Sequence, residues 1–115
     1  MHRLSLAFLT EIPIFLGDKG EPLSSPKMLV EPEEVTENKG KTIKLSCLAS
    51  GNPQPLMSWR KFNGTLPRSR HRIYITGTLE LQNLKEEDSG TYVCSARSIL
   101  GRRSVSMVLS VRGKL

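Results

Sequence analysis

Two cysteines, Cys47 and Cys94, stand 47 positions apart, and each lies inside a stretch in which apolar and polar residues alternate. Alternation with a period of two is typical of a β-strand with one buried face, so both sulfur atoms should face one interior. The spacing is far too wide for a paired CxxC motif, which argues against a zinc site or thiol redox chemistry. We therefore predict a buried disulfide, while two reduced core cysteines in a cytosolic protein remain the alternative.

The chain of 115 residues has material for one domain, and its composition of 37% hydrophobic and 24% charged residues is close to that of globular proteins. Its longest apolar run, residues 4–9, is much shorter than the roughly 18 residues that a membrane-spanning helix needs. We expect one globular domain with no direct membrane insertion.

The chain carries 17 basic against 11 acidic residues, and the basic surplus lies after residue 26. A basic surface attracts acidic partners such as sulfated glycans, nucleic acid or anionic membranes. A solvated surface that only aids solubility is the simpler interpretation of the same surplus.

Residues 1–26 form a segment that differs from the rest of the chain. An apolar stretch after Arg3 resembles a short secretory leader, but Glu11 and Pro13 interrupt it and no small-residue cleavage site follows. Residues 17–22 make two Gly-X-Y triplets, the repeat of collagen, in which only glycine fits at the helix axis. Residues 23–26 are predicted as a linker, and we place the folded domain at residues 27–113.

From Lys27 onward, short alternating runs are separated by turn signals, and no stretch has the period of an amphipathic helix. About eight strands are predicted, at residues 28–30, 35–37, 42–49, 56–62, 71–75, 78–83, 91–97 and 105–111. A loop is expected at residues 50–55 and a corner with a single helical turn at residues 85–90. So many short strands at this spacing predict an all-β sandwich.

Cys47, Trp59 and the run Asp88-x-Gly90-x-Tyr92-x-Cys94 together resemble the signature of immunoglobulin domains. Shorter motifs are similar to those of the intermediate (I-set) type, namely Gly40-x-x-Ile43-x-Leu45-x-Cys47, Gly51-Asn52-Pro53-x-Pro55 and Gly77-Thr78-Leu79. The resemblance covers about residues 27–111 and implies a Greek-key β-sandwich of two antiparallel sheets. Such domains are the repeating modules of cell-adhesion receptors, basement-membrane proteins and muscle filaments.

The resemblance also implies structural roles for particular residues. Trp59 should pack against the disulfide, and Tyr92 should hydrogen-bond back to the preceding turn as a tyrosine corner. Asp88 would be destabilising if buried alone, so it is expected to pair with a basic residue that starts a strand, Arg72 being the first candidate and Arg70 the second. The expected core residues are Leu45, Trp59, Leu81 and Tyr92.

Asn63-Gly64-Thr65 matches the N-glycosylation pattern and falls in a predicted exposed turn. Together with the predicted disulfide, this acceptor site favours an oxidising, extracellular setting, as a secreted protein or as the ectodomain of a larger one. A cytosolic filament protein is the alternative.

Patterns for catalysis and cofactor binding are absent from the sequence. Asp88-Ser89-Gly90 resembles part of a serine-protease motif, but no glycine precedes it, and His2 and His71 are the only histidines. The chain has no GxGxxG, phosphate-loop or HExxH pattern, and its glutamates at positions 31, 33, 34 and 37 lack the spacing of a calcium site. We expect no enzyme activity, no cofactor and no metal.

Function is therefore expected to lie in surface recognition. Arg60 and Arg97 should project from the outer face of the sheet that buries Trp59, with Val93 and Val108 nearby. Further basic residues, Arg68 and Arg70, fall on the connection after the strand predicted at residues 56–62. Arg102 and Arg103 fall at a predicted hairpin tip.

We predict an extracellular module that binds a protein, by homophilic or heterophilic pairing, or a sulfated glycan, and that contacts neighbouring modules of a larger chain. Nucleic acid is not expected, because the aromatic residues that would stack on bases are committed to the core. A structural spacer in a matrix protein, including a collagen-containing one, or in a filament protein is the alternative function.

Overall fold

Residues 20–113 are described by a computed structural model, and they contain nine β-strands and one short 3-10 turn. The 3-10 turn, Glu86–Asp88, connects the seventh and eighth strands. The strands are β1 Ser24–Met28, β2 Glu33–Asn38, β3 Ile43–Leu45, β4 Ala49–Asn52, β5 Leu56–Lys61, β6 His71–Ile73, β7 Leu79–Leu81, β8 Gly90–Ser98 and β9 Gly101–Arg112.

The strands form two layers that enclose the core. One layer is a four-stranded sheet in the order β2-β9-β8-β5, and the other holds the three-stranded sheet β3-β7-β6 and the pair β1-β4. The described pairings are antiparallel except for β2 with β9, which is parallel. The predicted all-β immunoglobulin-like sandwich is confirmed.

A disulfide between Cys47 and Cys94 links the two layers, as the sequence predicted. Trp59 lies beside Cys94 in the β5–β8 ladder, and its indole N–H donates to the Gly77 carbonyl at 2.7 Å. Gly77 has a φ of +99°, and a Cβ there would collide with the Cys47 carbonyl oxygen, so the turn under the indole requires glycine. The rest of the core is aliphatic apart from Tyr92 and comprises Ile43, Leu45, Leu79, Leu81, Leu84, Val105, Met107, Leu109 and Val111.

The N-terminal edge of the domain divides between the layers. Strand β1 pairs with β4, whereas β2 pairs with β9 in the opposite layer. Pro32, which lies between β1 and β2, has no N–H and cannot continue a ladder, so it marks the point where the chain changes sheets.

The prediction of a linker at residues 23–26 is wrong from Ser24 onward, because β1 begins there. Ser24 pairs with Asn52, and the Asn52 side-chain amide donates to the carbonyl oxygen of Pro22 at 3.0 Å. Pro26 is buried. Pairing with β4 therefore keeps residues 24–26 in a strand, although their turn-forming residues predicted an irregular linker.

The single strand predicted at residues 42–49 is divided in two. β3 pairs with β7, whereas β4 pairs with β1, and the change of partner falls around Cys47. The predicted loop at residues 50–55 is therefore strand as far as Asn52.

The leader-like stretch and the first residues of the Gly-X-Y triplets lie outside the described residues. Within residues 20–113, no helix has both the length and the apolar character needed to cross a membrane.

Candidate functional site

One arginine is built into the corner that precedes β8. Arg70 donates to both carboxylate oxygens of Asp88, at 2.8 and 2.9 Å, and to two neighbouring main-chain carbonyls. Asp88 is only 2% exposed and also accepts the Lys85 main-chain N–H at 2.8 Å. Burial disfavours the charged carboxylate, but the hydrogen bonds from Arg70 and Lys85 outweigh burial and hold the pKa of Asp88 below its usual value.

The prediction that Arg72 pairs with Asp88 is wrong. Arg72 lies opposite Glu80 in the β6–β7 ladder, and its guanidinium stacks 4.8 Å from the centroid of the Tyr74 ring. Arg70 stands just before β6, closer to the corner, and this is why its side chain reaches Asp88. Arg70 is thus a structural residue, which also corrects its assignment to the binding surface.

Tyr92 closes the same corner from β8. Its hydroxyl donates to the Asp88 carbonyl at 2.6 Å, the hydrogen bond of a tyrosine corner. Burial, together with the nearby charge of Asp88, raises the pKa of Tyr92 to about 12. Lys61 lies 5.7 Å from the ring centroid and donates to the Glu87 carbonyl at 2.8 Å, so this lysine is also engaged by the fold.

Three arginines project from the outer face of the four-stranded sheet. Arg97 and Arg102 are paired across β8 and β9, and Arg60 lies on the adjacent strand β5. All three are exposed, and none forms an ion pair within residues 20–113. They line a depression of about 260 Å³ together with Leu56, Ser58 and Ser95.

Serine hydroxyls occupy the space between these arginines. Ser95 and Ser104 face each other across β8 and β9 with their Oγ atoms 2.9 Å apart, and Ser58 lies beside Ser95 on β5. Guanidinium and hydroxyl donors converging on one depression suit a carboxylate or sulfate group. These serines were not among the predicted site residues, although strand alternation from Trp59 and Cys94 places Ser58 and Ser95 on this face.

The two valines expected on the outer face differ in exposure. Val108 is 39% exposed, but Val93 is only 7% exposed, so the prediction that Val93 offers apolar binding surface is wrong. Val93 is on a central strand between Arg60 of β5 and Ser106 of β9, and these neighbours leave little of it accessible.

The remaining predicted basic residues lie apart from the depression. Arg103 is next to Arg102 on β9 but pairs with Ala96, and successive strand residues point to opposite faces of a sheet. Arg68 is exposed on the connection after β5 and lines a separate depression of about 660 Å³. Asn63 is exposed in the turn that follows β5, with a φ of 58°.

Within residues 20–113, no group of three His, Cys, Asp or Glu side chains is arranged to hold a metal ion. Glu33 and Glu34 are exposed on β2, and Glu37 accepts the main-chain N–H of Asn38 at 2.9 Å.

The sequence profile of the immunoglobulin domain matches residues 25–98. This match spans most of the described sandwich, including both cysteines and the tyrosine corner. The chain belongs to the immunoglobulin-domain family.

Relatives in this family include a contactin and a basement-membrane proteoglycan core protein. Rat (Rattus norvegicus) contactin-4 is 42% identical over 79 residues, which is 67% of this chain and 8% of contactin-4. The mouse (Mus musculus) basement membrane-specific heparan sulfate proteoglycan core protein is 36% identical over 88 residues, 76% of this chain and 2% of the proteoglycan protein. The chain thus spans less than a tenth of the length of either relative.

Among solved structures, the complex of titin M10 with the obscurin-like 1 immunoglobulin domain matches with a TM-score of 0.72 and 29% identity. The match covers 80% of this chain and 98% of the solved one. The chain is therefore an immunoglobulin module of the type that adhesion and structural proteins contain.

Proposed function

We propose that this module recognises an acidic extracellular partner through the outer face of its four-stranded sheet. The observation that carries the proposal is the depression in which Arg60, Arg97 and Arg102 surround serine hydroxyls. Arginine is enriched at protein interfaces, and its planar fork binds carboxylate and sulfate groups bidentately. Sulfated glycans and acidic protein segments share the chemistry that this depression suits.

Three further observations support an extracellular setting for that role. The disulfide belongs to oxidising compartments, Asn63 is exposed in a glycosylation motif, and one relative is by its name a basement-membrane protein. Glycosidase treatment of protein secreted from mammalian cells should lower its mass, and the Asn63→Gln variant should show no such change. If the secreted protein carries no glycan, Asn63 no longer supports an extracellular setting.

Heparin chromatography tests the recognition proposal with a matched control. One triple variant replaces Arg60, Arg97 and Arg102 with alanine, and the other replaces Lys44, Arg72 and Arg103, so both lose the same charge. We expect the outer-face variant to elute at clearly lower salt than the control variant, because each lost anion contact reduces the salt-dependent part of binding. Elution of the two variants at the same salt concentration would mean that Arg60, Arg97 and Arg102 are scattered surface charges and not a binding site.

A structural spacer is the second candidate function. It is supported by the likeness to a chain of the solved complex of titin M10 with obscurin-like 1, a match that covers 98% of that chain, and by the small share that this chain has of its relatives' length. In a spacer, both heparin variants should elute at the same salt concentration. The domain joined to neighbouring immunoglobulin modules should also unfold at a higher temperature than the isolated domain.

A further inference from the structure

Strand β5 is an open edge of the four-stranded sheet. The sheet order places β8 on one side of β5 and no strand on its other side within the described residues. Phe62 donates its main-chain N–H to Thr91, which identifies that pair as hydrogen-bonded. Since hydrogen-bonded pairs alternate along an antiparallel ladder, the N–H groups of Met57, Trp59 and Lys61 point away from β8.

The open edge faces a groove rather than bulk solvent. One depression, of about 660 Å³, lies between the Trp59–Lys61 part of β5 and the connection that follows it, including Leu66 and Arg68. A second, of about 340 Å³, lies between Met57 and the segment that contains Ile73 and Ile75. The two depressions follow one another along β5, whose six residues span about 20 Å.

The two halves of the groove differ in chemistry. Around Met57 the rim is apolar and exposed, with Leu56 66%, Ile73 44% and Ile75 103% accessible. Around Trp59 the rim carries the exposed cations Arg60 and Arg68, and no Asp or Glu lines either depression. An unpaired strand edge beside exposed apolar side chains favours pairing with another extended chain.

We propose that this edge takes up an extended segment of a partner protein as an additional strand. Main-chain groups of the segment pair with Met57 and Trp59 and with the N–H of Lys61, whose carbonyl already accepts the Gly64 main-chain N–H. Its apolar side chains lie on Ile73 and Ile75, and its carboxylates lie near Arg68. A second copy of β5 is a poorer occupant, because it brings Arg60 and Lys61 and no carboxylate to the same groove. The proposal needs neither Arg97 nor Arg102, so it does not depend on glycan recognition.

The experiment uses capped synthetic peptides of eight residues, glutamates in one half and valines in the other, in both sequence directions. Amide hydrogen exchange is followed by NMR at millimolar peptide. We expect exchange at Met57, Trp59 and Lys61 to slow by about tenfold, while Ser58 and Arg60, already bonded to β8, keep their rates. A peptide that is N-methylated at alternate residues on its pairing edge should lose this protection, since it lacks the N–H donors.

A charge variant at the groove is compared with a control apart from both binding surfaces. Arg68→Ala should weaken peptide binding by about two- to fivefold, as expected for one exposed ion pair, whereas Arg103→Ala should leave it unchanged, because Arg103 lines neither the groove nor the outer-face depression. Unchanged exchange at all three edge amides, or peptide-induced shifts confined to Arg97 and Arg102, would overturn the proposal. Protection of the same amides in peptide-free protein that sediments as a dimer would overturn it in favour of a second copy. Failure of the heparin experiment affects none of these outcomes.

Discussion

Arginine has different roles at the corner before β8 and on the outer face of the four-stranded sheet. At the corner, Arg70 is bound by Asp88 and two carbonyls and its side chain is 18% exposed. On the outer face, Arg97 and Arg102 are exposed and have no ion-pair partner within residues 20–113. The contrast shows that the number of basic residues is a poor guide to binding, since position decides which arginines the fold already uses.

The largest effect should come from the link between the layers. Replacing Cys47 and Cys94 with alanine opens a loop of 47 residues, and the chain-entropy model gives a loss of about 4 kcal/mol in the free energy of unfolding. Urea denaturation of the oxidised protein and of the double variant measures this loss. A change below about 1 kcal/mol would mean that the core is held without the bridge.

Removing one member of the corner ion pair should have the next largest effect. Arg70→Ala leaves the carboxylate of Asp88 buried without its partner, and we expect a loss of about 3 kcal/mol in unfolding free energy. Arg72→Ala is the matched control, and it should stay within about 0.5 kcal/mol because Arg72 is exposed. Similar losses for the two variants would contradict the assignment of Arg70 to the corner.

Acid should weaken the corner through Asp88. The pKa of Asp88 is lowered in the folded protein. Its contribution to the free energy of unfolding is therefore present above the ordinary carboxyl pKa of about 4, and it is lost as the pH falls through the pKa of the folded state. Chemical denaturation as a function of pH should show this loss. In the Asp88→Asn variant, the free energy of unfolding should depend less on pH in the acid range. The loss should be smaller than that of Arg70→Ala, because a protonated Asp88 still accepts hydrogen bonds.

Alkali should act through Tyr92. The pKa of Tyr92 is raised to about 12 in the folded protein. Its contribution to the free energy of unfolding is therefore complete below the ordinary tyrosine pKa of 10.0, and it is lost as the pH rises through the pKa of the folded state. Tyr92→Phe should remove this loss and should lower stability at neutral pH by about 1 kcal/mol, since it deletes the hydrogen bond to Asp88. A steep alkaline limb retained in Tyr92→Phe would place the titrating group elsewhere.

The smallest effect on stability is expected on the outer face. Arg97→Ala with Arg102→Ala should change the unfolding free energy by less than about 0.5 kcal/mol, because neither side chain is buried or paired. Thermal denaturation of the double variant checks this. A loss comparable to that of Arg70→Ala would mean that these arginines serve the fold, and would remove the contrast between the two regions.

Period-two alternation, together with the turn signals between the short strands, predicted the sandwich, and it favoured a disulfide over two reduced core cysteines. It places Leu45 beside Cys47 and Tyr92 beside Cys94 on buried faces, and the structure buries them. Alternation depends only on local chain geometry, which a single sequence displays directly.

Ladder register and neighbouring strands are not displayed by a single sequence. The preference for Arg72 over Arg70 failed because the distance to Asp88 depends on how β6 pairs with β7. The exposure expected for Val93 failed because two adjacent strands surround it. The open edge of β5 was likewise hidden, since the order of strands in a sheet follows from tertiary pairing. The I-set subtype stays a prediction.

The direct test of the contrast follows the side-chain Nε–Hε signals of every arginine by NMR while a short heparin oligosaccharide is added. We expect the signals of Arg60, Arg97 and Arg102 to shift together and to reach saturation, whereas the signal of Arg70 keeps its position. Uniform small shifts of all exposed arginines, or shifts largest at Arg68 and Arg72, would contradict an acidic-group site on the outer face.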